Sequence, residues 1–387
     1  LEHPLSHSFG TFISSGYSKS LVVSIDGVGD KISTMITKFE KKNNKIKLRK
    51  LYVDYLNNSL GDFYGLFTNY LGFRLNEGEY KVMGMAAYGK PKYNLEKIIK
   101  FDFKSGKIIS NLKNFISRKI NTNINEPIYN KNKVYRLLKV KKRNPSETFN
   151  QKHFDLAASV QFQFSKIYLG IINFYAKKER LENVCLSGGC ALNCLANYKL
   201  LKSFKKIYVM PASSDRGLSL GNAMYYAAKK SIKVSRPKNM FLGPSYLNKD
   251  ILKFLKRINL KYKIVKNHYQ DCANEIKKGK VIGWFQGRSE FGPRALGSRS
   301  ILANPKIKNM KKILNSKIKY REDYRPFAPS ILEEDLKKHS NLSDELEYMT
   351  FTLKVNNSLK KKIPEAVHFD NTSRIHLVKK KSNPIFF

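Results

Sequence analysis

The stretch Asn183 to Leu201, NVCLSGGCALNCLANYKLL, constrains the fold more than any other. Asn183-Val-Cys-Leu-Ser187 reads as a buried strand, and Gly188-Gly189 turn it into a helix, Cys190 to Leu201. A strand–Gly-Gly–helix unit sets a helix N-terminus at the carboxyl edge of a sheet, where anions bind. Asn193 falls on the first turn of that helix. A second strand, Lys206 to Met210, runs into PASSDRGLSLGNAMYYA, which puts Asp215 at its carboxyl end before a glycine-containing helix. Near the start, Leu21, Val22, Val23 and Ile25 make a third strand. It ends in the tight turn Asp26-Gly27-Val28-Gly29-Asp30. Backbone N–H groups at such glycines can cradle a phosphate, although Asp-Gly also turns many hairpins. Lys31 to Ile46 reads as the returning strand. The fold class is α/β.

A different chemistry is written in Gly283 to Ser300, GWFQGRSEFGPRALGSRS, between apolar pieces at Val281-Ile282 and Ile301-Leu302-Ala303. It carries Arg288, Arg294 and Arg299, four glycines and the only tryptophan. Guanidiniums grip phosphate or carboxylate with paired hydrogen bonds. Lys317, Lys319, Arg321 and Arg325 follow, the last opening RPFAPS (Arg325 to Ser330). Arginine replaces here the lysine that dominates elsewhere, so the stretch reads as an anion-binding loop. A charged linker, Lys229 to Lys238, precedes it. The domain boundary is placed near residue 240, giving domains 1–240 and 241–387. Beyond the boundary Asp250–Ile258 and Tyr269–Gly279 read as helices and Ile264-Val265 as a short strand.

Histidines four apart on a helix face one side and can share a metal ion. His3 and His7, in HPLSH, have that spacing. Two histidines alone are more often chance, but Asp215 at a strand's carboxyl end would complete a two-histidine, one-carboxylate site. Phe63, Leu66, Phe67, Tyr70 and Leu71 fall at helical spacing and read as core. Gly78 to Pro91, with Glu79 and Lys81, reads as a loop feeding a cleft. Phe103 to Gln151, rich in Asn and Lys, reads as a poorly constrained excursion. Phe154 to Lys177 reads as an amphipathic helix with Leu156, Ala157, Val160, Phe164, Ile167 and Tyr168 on its apolar face.

The net charge is +43, from 73 Lys+Arg against 30 Asp+Glu. The excess is mostly lysine spread over the whole chain, and no zinc-finger, helix-turn-helix or RNA-recognition signature accompanies it. No specific nucleic-acid partner is expected. No apolar run reaches the ~20 residues needed to cross a bilayer, and no signal peptide is visible. Cys185, Cys190, Cys194 and Cys272 are wrongly spaced for a disulfide scaffold and read as small buried residues of a cytoplasmic protein.

Taken in order, HPLSH, SIDGVGD, GEYKVMGMAAYGKP, LSGGCALN, SSDRGLSLGNA, GWFQGRSEFGPRALGSRSILANP and YRPFAPS resemble the O-carbamoyltransferase family that acts on nodulation factors and antibiotics. The resemblance implies an actin-like ATPase (sugar-kinase-like) domain followed by a YrdC-like α/β domain. Members begin before the histidine pair and continue past Asn383–Phe387, so both domains are expected to be incomplete here. ATP and carbamoyl phosphate are the implied substrates of a carbamoyl-adenylate-forming step. Transfer then goes to a hydroxyl of a small molecule or glycan. A divalent metal, iron by resemblance, is implied at His3, His7 and Asp215, with magnesium accompanying ATP. Arg288, Arg294, Arg299 and Arg325 fall in the activation motifs and are assigned to catalysis. Asp26, Gly27, Gly29, Gly188, Gly189, Asn193, Lys319 and Arg321 are assigned to nucleotide or phosphate binding. The base that activates the acceptor is unassigned, with Asp26 and Glu79 as candidates by location. A homodimer is allowed. Threonylcarbamoyl-type tRNA modification, or an inactive nucleotide-binding fragment, stands as the alternative.

Overall fold

A computed structural model describes residues 1–43, 45–118, 127–339 and 346–387. The chain divides into two compact units. The first comprises Leu1–Arg236 with Thr350–Leu353 and His368–Thr372, and the second comprises the remainder.

The first unit is built on a five-stranded mixed sheet. Its order is Lys45–Tyr55, Ile32–Lys42, Lys19–Gly29, Asn183–Ser187, Lys206–Val209. The first three strands are antiparallel neighbours, and the last two run parallel to Lys19–Gly29. Leu21, Val22, Val23 and Ile25 are fully buried, as a central strand covered on both faces requires. The edge strand Lys45–Tyr55 carries Lys45, Lys47, Arg49 and Lys50, and such charges discourage pairing with another chain. Because three strands share one direction, their carboxyl ends lie along one edge of the sheet. Asp26–Gly29, Gly188–Asn193 and the segment leading to Asp215 therefore come together.

Two helices hold that edge. His3–Ser15 starts with proline in its first turn and stops at Gly16 in the left-handed conformation (φ 74°). It packs against the helix Leu218–Lys229 through facing glycines. A methyl placed on Gly221 would lie 2.1 Å from the Ser6 carbonyl oxygen, and one on Gly10 would lie 3.0 Å from the Gly221 Cα. The long helix Gln151–Glu179 opens with a capping box: Asn150 caps the His153 N–H and His153 Nδ1 accepts the Asn150 N–H. All six residues expected on its apolar face are buried. His153, Asp155, Gln161 and Gln163 are buried too, so the helix is enclosed on more than one face.

Several expectations are corrected. Gly78–Pro91 is not the loop expected. Glu79–Met85 is a helix followed by a 3-10 turn, Ala86–Tyr88. Glu79 accepts the backbone N–H groups of Asn76 (3.0 Å) and Gly78 (3.2 Å), so its carboxylate serves its own helix terminus. The excursion at 103–151 is ordered where described; residues 119–126 of it lie outside the described residues. It contains the strand Lys107–Ser110, which pairs with Ile99–Asp102 just before it, the pair Ile116–Arg118/Pro127–Tyr129 and the helix Lys131–Leu138. Arg143 anchors it: buried, it donates to the carbonyls of Leu71, Pro145 and Glu147 and sits 4.2 Å from the Phe149 ring centroid. The helix expected from Cys190 begins only at Cys194, after a 3-10 turn over Gly189–Leu192.

The second unit contains the helices Asn248–Arg257 and His268–Lys277 and two small sheets. One pairs Ile282–Phe285 with Arg299–Leu302 antiparallel, and the other pairs Ser330–Leu332 with His376–Val378 parallel. Ile264-Val265 forms no strand; Ile264 is 84% exposed and has no neighbouring strand to pair with among the described residues. No helix among the described residues is long and apolar enough to cross a membrane.

The glycine contact between the two edge helices gives a direct test. Gly221→Ala forces the Ser6 carbonyl and the first helix away, an overpacking cost of about 1–3 kcal/mol. Urea unfolding should show a lowered midpoint with an unchanged slope.

Candidate functional site

Four side chains meet at the sheet edge of the first unit. His3 and His7 lie one helical turn apart, with their Nε2 atoms 3.1 Å from each other. Asp215 Oδ1 lies 3.3 Å from His3 Nε2 and 3.7 Å from His7 Nε2. Asp26 Oδ2 lies 3.3 Å from His7 Nε2 and 4.0 Å from His3 Nε2. One ligand atom from each of the four falls within 4.8 Å of the others. The structure thus brings together His3, His7 and Asp215, and adds Asp26, which sequence reasoning had assigned to phosphate. Its position as the last residue before a glycine turn, at a strand's carboxyl end, was the available signal.

The local chain explains the placement. The His3 backbone N–H donates to Asp30 Oδ2 at 2.7 Å, which anchors the helix start to the hairpin turn. The His3 ring lies directly over Gly29: a methyl there would come within 2.2 Å of the ring carbons. Gly188 has φ +78°, and a methyl on it would lie 2.2 Å from the Ile25 carbonyl oxygen. These glycines therefore have packing reasons to be glycine. Asn193 caps the helix Cys194–Leu200 by accepting the Ala196 N–H at 3.0 Å. Its amide also pairs reciprocally with Gln161 at 2.9 and 3.1 Å, all in the core. Its hydrogen-bonding capacity is engaged in holding the turn after Gly188-Gly189 rather than presented to a ligand.

The electrostatics are those of a tight imidazole–carboxylate set. Asp215, then Asp26, raise His3 to about 9 against the opposing effect of burial. Burial lowers His7, yet Asp215 and Asp26 outweigh it and raise the group. Burial raises Asp26, but the two imidazoles prevail and hold it at about 2. His3 and His7 hold Asp215 below the usual carboxylate range. Asp26 Oδ2 is buried without a hydrogen-bond partner of good geometry. Two imidazole nitrogens and two carboxylate oxygens, one of them an orphaned buried acceptor, fit a divalent transition metal.

A carboxylate that the sequence did not single out stands beside this set. Ser59 caps the helix Leu60–Tyr70, accepting the Asp62 N–H at 3.0 Å, and donates to the Gly27 carbonyl at 2.6 Å. Gly61 packs on the turn so closely that a methyl would lie 2.6 Å from the Gly27 nitrogen. Asp62 Oδ2 pairs with Arg118 at 2.5 Å. Burial raises Asp62, with a further contribution from Asp26, while Arg118 opposes the shift.

In the second unit the arginine loop is held by its own backbone. Arg299 donates to the carbonyls of Gln286 (2.7 Å) and Ser298 (2.9 Å), reaches Gly287 and Pro244, and lies 3.7 Å over the Phe285 ring. Arg288 donates to the Leu242 carbonyl at 2.8 Å. Arg321 donates to Asn315 Oδ1 at 2.6 Å and lies 4.4 Å over Phe327. Arg325 lies 3.7 Å from the Glu322 carboxylate. Arg294 is half-buried and Lys319 is exposed. Neutral carbonyls orient a guanidinium without cancelling its charge. Glu290 is the unforeseen member. Its Oε1 accepts the N–H groups of Leu296 (2.8 Å), Ser298 (2.8 Å) and Arg299 (3.2 Å), so these three loop amides already hold the chain's own carboxylate.

The His3 shift predicts a pH signature in the metal-free protein. Its folded value is raised from 6.5 to about 9. The stabilisation is therefore complete below 6.5 and lost as the pH rises through about 9. Thermal unfolding between these limits should lose stability in the parent relative to His3→Ala; parallel curves would refute the pairing.

Two family models match the chain: Carbamoyltransferase N-terminus over residues 1–224 and Carbamoyltransferase C-terminus over residues 273–387. Over its whole length the chain is 34% identical to the Synechocystis protein sll1178, of which it covers 67%. It is 33% identical, again over its whole length, to nodulation protein NolO of Bradyrhizobium diazoefficiens, covering 69% of that protein. Over 51% of the chain it is 31% identical to the 3'-hydroxymethylcephem-O-carbamoyltransferase of Amycolatopsis lactamdurans, covering 37% of that enzyme. The chain spans about two thirds of the length of the Synechocystis protein and of NolO. The chain belongs to the carbamoyltransferase family of enzymes.

Proposed function

We propose that the protein is an ATP-dependent O-carbamoyltransferase that takes its carbamoyl group from carbamoyl phosphate, by way of a carbamoyl-adenylate, and delivers it to a hydroxyl of a sugar-like or secondary-metabolite acceptor. The observation that carries this reading is the His3–His7–Asp26–Asp215 set at the sheet's carboxyl edge, in a chain matched by both halves of the family. On this reading the first unit is an actin-like transfer domain and the second belongs to a YrdC-like activation domain.

Each part has a chemical task. Carbamoyl phosphate and ATP bring several negative charges into one pocket, and the guanidiniums of Arg288, Arg294, Arg299 and Arg325 offset them. Arg288 is oriented by the Leu242 carbonyl, while Arg299, whose terminal nitrogens donate to backbone carbonyls, would act on an anion through its uncancelled charge. A divalent metal held by His3, His7, Asp26 and Asp215 would supply Lewis acidity to a phosphate leaving group. The glycine turns at Gly27 and Gly188-Gly189 bring backbone close to the same edge, where a nucleotide phosphate would lie.

Two variants separate the two halves of the reaction. Arg294→Ala should abolish carbamoyl-phosphate-dependent pyrophosphate release from ATP. His7→Ala should leave that release intact and abolish carbamoylated product. Release that needs no carbamoyl phosphate, or loss of the same step in both variants, refutes the proposed division of labour.

A further inference from the structure

We propose that Asp62 is the group that takes the proton from the acceptor hydroxyl, with Arg118 holding its carboxylate in place beside the Asp26-Gly27 turn. This inference rests on the carbamoyl-transfer reading above.

Three features of the geometry support it. First, Asp62 is rigidly placed. Ser59 caps its N–H and bonds to the Gly27 carbonyl, and Gly61 lies in direct contact with the Asp26-Gly27 backbone. Second, Asp62 borders open space next to the four-ligand set. A methyl on Gly27, the residue after Asp26, meets nothing nearer than Asp62 Oδ1 at 4.0 Å. The space over Gly27 is therefore open as far as Asp62 Oδ1. Third, Asp62 is enclosed without being sealed. Its side chain is 12% exposed and that of Arg118 13%. Arg118 engages Oδ2, and Oδ1 is the atom that faces Gly27.

The other carboxylates near this edge are committed. Asp26 and Asp215 face the imidazoles, and Glu79 accepts backbone N–H groups at its own helix start.

The step balances as follows. A lone pair of the acceptor oxygen forms a bond to the carbamoyl carbon. The bond from that carbon to the phosphate oxygen breaks, and its electron pair leaves with the phosphate. The hydroxyl proton passes to Asp62 Oδ1. The products are an O-carbamoyl ester, the phosphate-bearing leaving group and protonated Asp62, which then returns its proton to solvent.

The test compares two nucleophiles on the metal-loaded protein supplied with carbamoyl phosphate and ATP. Glycerol is a hydroxyl probe that needs a base. Hydroxylamine attacks through a nitrogen lone pair that needs none, and gives hydroxyurea, counted as the excess over a protein-free mixture. Asp62→Asn should lower O-carbamoylglycerol formation ~100- to 10,000-fold and change hydroxyurea formation less than about threefold. Asp62→Glu, which keeps the charge, should recover part of the glycerol reaction. Gly27→Ala, which narrows the space at Asp62 Oδ1 and leaves the Oδ2–Arg118 pairing in place, should raise the KM for glycerol more than it lowers kcat. Equal loss of both products in Asp62→Asn and Asp62→Glu overturns the assignment. So does an unchanged glycerol KM in Gly27→Ala, or hydroxyurea without any O-carbamoylglycerol from the parent protein. If the parent makes neither product, it is the carbamoyl-transfer reading that fails.

Discussion

Everything at the sheet edge depends on how closely the helix His3–Ser15 can approach its neighbours. Its two histidines are useful only if their rings reach Asp26 on one side and Asp215 on the other. Gly29 lets the His3 ring lie on the end of the central strand. Gly221 lets the Leu218–Lys229 helix come into contact with the Ser6 carbonyl, which brings the segment carrying Asp215 alongside. Asp30 fixes the helix start by accepting the His3 N–H. A site of this kind tolerates little slack, because its groups must be held to within about 0.5 Å of the productive geometry.

The strands of this edge were legible in the sequence, and so were His3, His7 and Asp215. Buried strands read as continuous apolar runs, and the residues that follow them are fixed by position alone. Asp26 was found but read as a phosphate-binding residue or a candidate base, since nothing in a sequence shows that two histidines from a different element lie over it. Asp62 was invisible for the same reason. It sits in a helix whose apolar spacing signals core, and its significance comes from Gly61 touching a turn more than thirty residues earlier. Glycines were read for conformational freedom near ligands, whereas Gly29, Gly61 and Gly78 are glycine chiefly because another part of the chain occupies the space a methyl would need.

The misread stretches share a physical cause. Gly78–Pro91 contains three glycines, which suggests a loop, but the helix there is only seven residues long and draws its stability from contacts and from the Glu79 cap. Short helices are decided by tertiary packing rather than propensity. The Asn- and Lys-rich excursion looked unconstrained because its composition is polar. A single buried arginine with three carbonyl acceptors and an aromatic face supplies the constraint that composition cannot show.

Charge is read differently at the two scales. A formal +43 suggests a protein governed by its lysines, but exposed charges more than about 8–10 Å apart are largely screened at physiological salt. Enclosed groups escape that screening and respond to their immediate partners. Asp26 faces two imidazoles and is held low, and Asp62 faces a single guanidinium and is raised by burial. The two carboxylates flank one glycine turn, and the negative charge of Asp26 adds to the rise at Asp62. A cation placed among His3, His7, Asp26 and Asp215 would offset that contribution. The charge held at the neighbouring set therefore bears on Asp62 through space, across a single turn of backbone.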